Sequence, residues 1–183
     1  MIPPGWDATT VLAAAPFISW SGDVWRVHLA RYQAADATGS TIASGRFNRA
    51  QREYPNSDHW RVLYLSLGPD TPIGEVLRHF SHRPLAELRL YRRTRLSVSL
   101  TAVLDCRDVA ALGLTVDVLF DDLVYDVGHA LGLAAVRHGA EAILVPSTTR
   151  AGDNLILFPD NLLPGSRLEV TTDVLEFTHF VAP

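Results

Sequence analysis

Hydrophobic and polar residues alternate along several short stretches of the chain, which is the pattern of half-buried β-strands. Between residues 23 and 30, Trp25, Val27 and Leu29 fall on one face, and Arg26 and His28 fall on the other. We expect the apolar face to cover the core and Arg26 to lie on the opposite, polar face. Further strands are predicted at residues 60–67, 88–105 (as strand pairs), 142–145, 155–158 and 168–180.

A helix is predicted to begin with Thr71 as N-cap and Pro72 as its first residue. An apolar stripe follows at the three- and four-residue spacing of a helix. Its members are Ile73, Val76, Leu77 and Phe80. Glu75 lies off this stripe, near the helix start, so its side chain is free to face a cleft.

A second helix is predicted at residues 117–138, broken or eased near Gly128 and Gly132. Residues 7–19 are expected to form a short helix or coil over the core. Residues 31–59 show no periodicity and predict a long loop with about one helical turn. A loop of this length in a compact domain is typical of a binding loop or lid.

Many short strands with two or three helices, and no repeat or linker, predict a single α+β domain. A chain of 183 residues is long enough for one core. It contains no apolar run of membrane-spanning length, and its start lacks the pattern of a signal peptide. The single cysteine, Cys106, excludes an internal disulfide and fits a reducing compartment, so we expect a cytoplasmic protein.

The charged residues of the chain limit the kinds of molecule that it can bind. The net charge of −4 argues against direct binding of nucleic acid, which requires a basic surface. All 16 basic residues are arginine, which excludes Schiff-base chemistry on lysine and the lysine of a P-loop. An anion held by a side-chain cation must therefore be held mostly by guanidinium, whose planar fork matches phosphate.

Two arginines and one tyrosine are candidates for binding an anionic, ring-bearing substrate. Arg46 follows Gly45, which would let it approach a pyrophosphate closely, although a solvated loop arginine packed on Phe47 is the commoner outcome. Arg26 is either a cleft-facing arginine or half of a surface ion pair. Tyr64 offers a ring for stacking, or is an ordinary half-buried strand tyrosine.

The other candidates have equally plain alternatives. Glu75 either stabilises charge on a ribose or complements the helix dipole with His79 as partner. Ser147 follows a buried strand without the surroundings of a hydrolase nucleophile, and a turn is its alternative. Asn154 either belongs to a turn or reaches the cleft. His79 and His82 share a helix end without a third ligand, so we expect no metal.

In its order along the chain, this set of residues resembles the RES domain, a family named for its Arg, Glu and Ser. The stretches that carry the resemblance are Trp25-Arg26-Val27, Gly45-Arg46-Phe47-Asn48, Tyr64-Leu65-Ser66, Glu75-Val76-Leu77 and Val145-Pro146-Ser147 with Asn154. They span about residues 23–160, and Phe47 stands where the family often has Trp. The resemblance implies a RES domain at residues 23–183, preceded by an extension of residues 1–22 that packs on it. The implied fold is related to ADP-ribosyltransferases, with short strands in two packed sheets and a NAD cleft between them.

The resemblance also implies roles for individual residues. The catalytic set would be Arg46, Tyr64, Glu75 and Ser147, and the substrate-binding set Arg26, Phe47, Asn48 and Asn154. In these sets the arginines would bind the pyrophosphate of NAD⁺ or an incoming phosphate, and the tyrosine would pack on the nicotinamide–ribose end. The glutamate would stabilise an oxocarbenium-like transition state by its charge. The serine and the second asparagine would orient ribose or nicotinamide.

Family members are toxins of toxin–antitoxin pairs, so the resemblance implies an enzyme that consumes NAD⁺ as substrate, with no separate cofactor. The acceptor would be phosphate, in a phosphorylase, or water, in a glycohydrolase. An Xre-type antitoxin is the implied partner, and residues 1–22 could dock it or a second copy of the chain in a homodimer. A protein ADP-ribosyltransferase and a catalytically silent binding module are the alternatives. The presence of both arginines, the tyrosine, the glutamate and the serine weighs against the silent module.

Overall fold

A computed structural model describes residues 2–79, 90–121, 123–149 and 152–176, which fold into a mixed domain of strands and a few short helices. The strands are β1 Phe17–Leu29, β2 Leu63–Ser66, β3 Tyr91–Asp105, β4 Ala142–Pro146, β5 Asp153–Leu157 and β6 Arg167–Glu176. The helices are α1 Ala8–Ala13, α2 Gly39–Ile42, α3 Thr71–His79, α4 Val116–Leu119 and α5 Asp126–Arg137. None of the helices in this described part is long and apolar enough to cross a membrane.

The six strands form one sheet in the order β1-β2-β5-β4-β3-β6, and β1 also pairs with β3. The extra pairing closes five strands into a barrel-like ring, with β6 attached to β3 outside it. Two packed sheets were predicted, and this prediction is wrong for the described strands. The reason is the length of β3, which pairs with β1 along one edge and with both β4 and β6 along the other.

Residues 88–105 were predicted as strand pairs, but β3 runs without a turn from Tyr91 to Asp105. Its alternating pattern contains no glycine, proline or asparagine at which a hairpin would reverse. The antiparallel pairing with β1 extends from Phe17 opposite Leu104 to Leu29 opposite Tyr91. This long ladder fixes which face of β1 points into the ring.

The interior of the ring is an aliphatic core formed by alternate residues of each strand. It includes Val24, Leu63, Leu65, Leu96, Val98, Leu144, Leu155 and Leu157, all of them nearly inaccessible to solvent. At about 25 cal/mol per Å² of buried apolar surface, such clusters are the main stabilising term of a small domain. The residues between them point outward, among them Tyr64, Ser66, Asn154 and Ile156.

A second core covers part of the outer face of the sheet, where α1 and α5 pack. It contains Leu12 of α1 and Leu131 of α5 with Leu104, Ile143 and Ile156 of the sheet. The expected helix or coil at residues 7–19 is shorter than predicted, because α1 ends at Ala13 and β1 already begins at Phe17. The last residues of the expected extension 1–22 therefore belong to the sheet.

The helix predicted at 117–138 is two helices, α4 and α5, with the intervening segment leading back to the outer face of the sheet. Gly128 and Gly132 do not interrupt α5, which is continuous from Asp126 to Arg137. Helix α3 begins at Thr71, one residue earlier than predicted, and the Asp70 carbonyl accepts its first hydrogen bonds. Phe80, His82 and the side chain of His79 lie outside the described residues, as does the predicted histidine pair.

Candidate active site

A cavity of about 350 Å³ lies on the outer face of the sheet, between strands β1, β2 and β5 and helix α3. Ligand pockets in proteins usually measure about 300–1,000 Å³, so its volume suits part of a nucleotide. The loop that carries Gly45 and the segment between α4 and α5 complete its wall. Its polar lining includes Arg46, Tyr64, Ser66, Glu75, Tyr125 and Asn154.

Glu75 presents a carboxylate in a fixed orientation at this cavity. Its Oε1 accepts a hydrogen bond of 2.7 Å from Ser147 Oγ and another of 2.7 Å from Asn154 Nδ2. Its Oε2 accepts no hydrogen bond from any residue in the described part of the chain. The arrangement holds one oxygen in the protein and leaves the other for a ligand.

The amide of Asn154 is oriented by a serine that the sequence did not single out. Ser66 Oγ donates to Asn154 Oδ1 at 2.8 Å, which leaves the Nδ2 group to donate to Glu75. The two residues are direct partners in the β2–β5 ladder, so their side chains stand on the same face. The signal that could have identified Ser66 is its two-residue spacing from Tyr64.

Ser147 lies just beyond the end of β4 and is almost completely buried, at 1% exposure. It does not line the cavity, and its hydroxyl contacts Glu75 and, at 2.9 Å, Thr149 Oγ1. The structure therefore places Ser147 behind the carboxylate, where its hydroxyl orients Glu75. The neighbouring Thr148 lines the cavity in its place.

Tyr64 contributes an aromatic wall whose hydroxyl is tied to the protein. Its Oη donates to Asn48 Oδ1 at 3.0 Å and accepts from the Phe47 amide at 2.9 Å. Burial of this end raises the pKa of the Tyr64 hydroxyl well above its usual value, so the phenol stays neutral. The residue as a whole is 37% exposed, because the ring itself borders the cavity.

Asn48 is completely buried and shapes the loop rather than facing the cavity. Its Oδ1 also accepts from the Gly45 amide at 2.9 Å, and its Nδ2 donates to the Ser40 carbonyl at 2.8 Å. A Cβ at Gly45 would overlap the Tyr64 hydroxyl, which explains why glycine occupies this position. Asn48, predicted to bind substrate, instead joins the loop to Tyr64.

Arg46 lines the cavity with its guanidinium held against aromatic rings. Its Cζ lies 4.9 Å from the ring centre of Tyr125 and 5.5 Å from that of Phe120. Its Nη1 donates to the carbonyls of Leu119, at 3.1 Å, and Asp121, at 2.6 Å. The aromatic rings and the two backbone carbonyls together hold the guanidinium at the wall of the cavity.

Phe47, the next residue, belongs mostly to the outer core and is 3% exposed. Its carbonyl accepts a hydrogen bond of 2.8 Å from Trp60 Nε1. Its amide, as described above, donates to Tyr64. Phe47 therefore packs in the outer core, while Arg46, the residue before it, lies at the cavity.

The prediction that Arg26 faces the cleft is wrong. Val27 lines the cavity, and Arg26, one residue before it, points into the ring with Val24. There Arg26 Nη1 donates to the carbonyls of Ala34, at 2.6 Å, and Asp36, at 2.8 Å. One face of β1 covers the interior of the ring and the other borders the cavity. The alternation of apolar and polar residues identifies the two faces but does not show which of them borders the cavity.

Tyr125 and Phe120 also line the cavity and were not identified from the sequence. They come from the segment between α4 and α5, which was predicted to be helical, and no motif in the sequence marks it as a wall of the site. Among the residues that the structure describes, no group of three or more His, Cys, Asp or Glu side chains is arranged to hold a metal ion. The described residues that line the cavity include the carboxylate of Glu75, the guanidinium of Arg46 and aromatic rings.

Comparison with known proteins agrees with the resemblance. The family model of the RES domain matches residues 23–178, which is most of the chain. The chain belongs to the RES domain family. No curated protein matches the sequence significantly.

The fold of this RES domain is similar to that of a chain in the crystal structure of the M. tuberculosis MbcT–MbcA toxin–antitoxin complex. The TM-score is 0.78 at 23% sequence identity, and the match covers 92% of this chain and 91% of the other. A TM-score of this size over nearly the whole of both chains shows a common fold. The barrel-like arrangement of this RES domain is therefore shared with a protein of known structure.

Proposed function

We propose that this RES domain cleaves the nicotinamide–ribose bond of NAD⁺. The observation that carries the proposal is the Glu75 carboxylate, held by Ser147 and Asn154 at the wall of a cavity. The same cavity contains the exposed ring of Tyr64 and the guanidinium of Arg46. These groups supply an anionic, an aromatic and a cationic contact, which match the three parts of the nicotinamide half of NAD⁺.

Glu75 would act on the ribose. When the bond between the ribose carbon and the nicotinamide nitrogen breaks, both bonding electrons leave with nicotinamide, which departs as a neutral molecule. Positive charge then develops on the ribose, and a carboxylate already fixed in place stabilises it without reorganisation. The Oε2 atom is the oxygen available to accept a hydrogen bond from a ribose hydroxyl, because Oε1 already accepts hydrogen bonds from Ser147 and Asn154.

Tyr64 and Arg46 would bind the two sides of this ribose. The phenol of Tyr64 is neutral and engaged with Asn48 and Phe47, so we assign it a packing contact with nicotinamide rather than proton transfer. Arg46 would bind the pyrophosphate through the edge of its guanidinium. Its contacts with Phe120 and Tyr125 would hold that edge in one direction.

The acceptor would be phosphate or water. Attack by hydrogen phosphate on the ribose carbon gives ADP-ribose phosphate, whereas attack by water gives ADP-ribose. Each reaction also releases nicotinamide and a proton. Both acceptors react at the same carbon, so the contacts of Glu75, Tyr64 and Arg46 serve either reaction. The two reactions are distinguished by whether their rates depend on the concentration of phosphate.

We also propose that the chain is the toxin of a toxin–antitoxin pair. This rests on membership of the RES family and on the likeness to a chain from a toxin–antitoxin complex. The partner would be an antitoxin protein, of the Xre type that the family resemblance implies. Co-expression with a neighbouring Xre-type protein, followed by co-purification, tests this part separately.

The test of the reaction is nicotinamide release from NAD⁺ by the purified chain, with and without phosphate. Release that increases with phosphate and yields ADP-ribose phosphate supports a phosphorylase. Release that is independent of phosphate and yields free ADP-ribose supports a glycohydrolase. Transfer of label from NAD⁺ to protein supports a transferase, and the absence of nicotinamide release contradicts the proposal.

A further inference from the structure

The loop that carries Arg46 lies unusually close to helix α5. A Cβ at Gly128 would overlap the carbonyl oxygen of Arg46 and come within 2.9 Å of its Cγ. A Cβ at Gly132, one turn along the same face, would overlap the carbonyl oxygen of Phe47. Only glycine at both positions allows the backbone of the loop to rest on the helix.

A third contact joins the loop to the same helix. His129, between the two glycines, lies with its Nε2 3.0 Å from the Gly45 carbonyl, so this nitrogen donates the hydrogen bond. Backbone atoms of Gly45, Arg46 and Phe47 therefore each approach α5 in turn. The position of the loop is set by the helix surface and not by the loop sequence alone.

The segment before α5 holds the side chain of Arg46. The guanidinium lies over the rings of Phe120 and Tyr125 and donates to the carbonyls of Leu119 and Asp121. A shift of the Arg46 backbone away from α5 would pull the guanidinium out of this arrangement. Hydrogen bonds weaken steeply as their distance and angle depart from the ideal, so a displacement of even one ångström would weaken those of Arg46 substantially.

We infer that Gly128, Gly132 and Tyr125 form a seat for Arg46 and are positioning residues for its contact with the phosphates of the substrate. This inference rests on the proposed function only for the identity of the substrate. The glycines act through the loop backbone and do not line the cavity. Tyr125 acts through the guanidinium and borders the cavity itself.

The first test is structural and does not depend on catalysis. In a crystal structure of Gly128→Ala, we expect the Arg46 backbone to move away from α5 and its hydrogen bonds to the Leu119 and Asp121 carbonyls to break. Unchanged hydrogen bonds in this variant would overturn the inference. Gly39→Ala is the matched control, because a Cβ there meets no atom within 4 Å and Gly39 also lies in a helix.

The second test is kinetic and uses two substrates. For Gly128→Ala and Gly132→Ala, we expect KM for NAD⁺ to rise at least about tenfold, as for a weakened hydrogen bond to a charged group. Cleavage of nicotinamide riboside, which has no phosphate, should change little, since Glu75 and Tyr64 are untouched. Equal losses with both substrates would show a general structural defect and overturn the assigned role.

If neither glycine variant folds, Tyr125→Leu decides, because it removes the ring beneath Arg46 without adding an atom against the loop. We expect the same selective loss with NAD⁺, together with altered Arg46 hydrogen bonds in its crystal structure. Wild-type kinetics in Tyr125→Leu would overturn the inference that these residues position Arg46. Should the wild-type chain release no nicotinamide from either substrate, the proposed function fails, while the structural test still decides the inference.

Discussion

Ser147 Oγ donates a hydrogen bond of 2.7 Å to Oε1 of Glu75, although the two residues are 72 positions apart in the chain. Ser147 follows β4, and Glu75 lies in α3, so the contact exists only in the folded protein. Asn154 donates to the same oxygen. Two donors on one oxygen orient the carboxylate and leave Oε2 for the contact with ribose that we propose.

Replacement of Ser147 by alanine should lower kcat about tenfold, which corresponds to about 1.4 kcal/mol of transition-state stabilisation. The loss is partial because Asn154 still holds Glu75. KM should change little, since Ser147 does not line the cavity. Initial rates of nicotinamide release measure both constants, with the exposed Ser57→Ala as control; a raised KM at unchanged kcat would instead show that Ser147 binds substrate.

Glu75→Gln should reduce kcat by at least about 100-fold, the usual loss when a preorganised electrostatic group is removed. The amide oxygen of glutamine can still accept from Ser147 and Asn154, so the thermal midpoint should be close to that of the wild type. Single-turnover nicotinamide release and thermal unfolding measure the two quantities. Glu169→Gln, on the exposed surface of β6, is the control for a changed charge. Full activity of Glu75→Gln would remove the carboxylate from the mechanism.

Four of the polar candidates, Arg46, Tyr64, Glu75 and Asn154, lie together at one cavity. Their types and local context were sufficient for this prediction. Asn48 and Ser147 support this site without lining the cavity. Arg26 does not line it either and points into the barrel-like ring. Its strand was predicted well, but two covered faces give the same alternation as one buried and one open face.

The residues that support the site were harder to predict from the sequence than the polar residues that line the cavity. Gly128 and Gly132 were interpreted as weak points of a helix, whereas they allow the Arg46 loop to approach it. The hydrogen bond from Ser66 to Asn154 joins residues 88 positions apart. Contacts of this kind depend on the register of the whole sheet, which no local pattern in the sequence specifies.

Tyr64→Phe should keep the aromatic wall but destabilise the protein by about 1–3 kcal/mol, because the buried Asn48 Oδ1 and Phe47 amide each lose a partner. For a domain of this size, each 1 kcal/mol lowers Tm by about 2–4 °C. Thermal unfolding measures the change, with the exposed Tyr32→Phe as control. KM for NAD⁺ should rise far less in Tyr64→Phe than in Tyr64→Ala. A strong kinetic defect at unchanged Tm would show that the hydroxyl acts on substrate.

The stability of the protein should depend on the protonation of His129, which is 4% exposed and donates to the Gly45 carbonyl. Burial lowers the pKa of His129 below its ordinary value, with a smaller effect from the charge of Arg49. The unfolded chain therefore binds more protons below pH about 6.5, the usual pKa of histidine, and the free energy of unfolding should fall as pH decreases from there. Burial likewise lowers the pKa of His28, which adds to the same slope.

Urea unfolding between pH 7.5 and pH 5.5 measures this dependence above the range in which carboxylates ordinarily titrate. In His129→Gln, whose amide can still donate to Gly45, we expect a smaller decrease than in the wild type, and a still smaller decrease when His28→Gln is added. His59→Gln is the control, since His59 is exposed and makes only a local contact. An identical slope in the wild type and His129→Gln would show that His129 is not protonated on unfolding in this range.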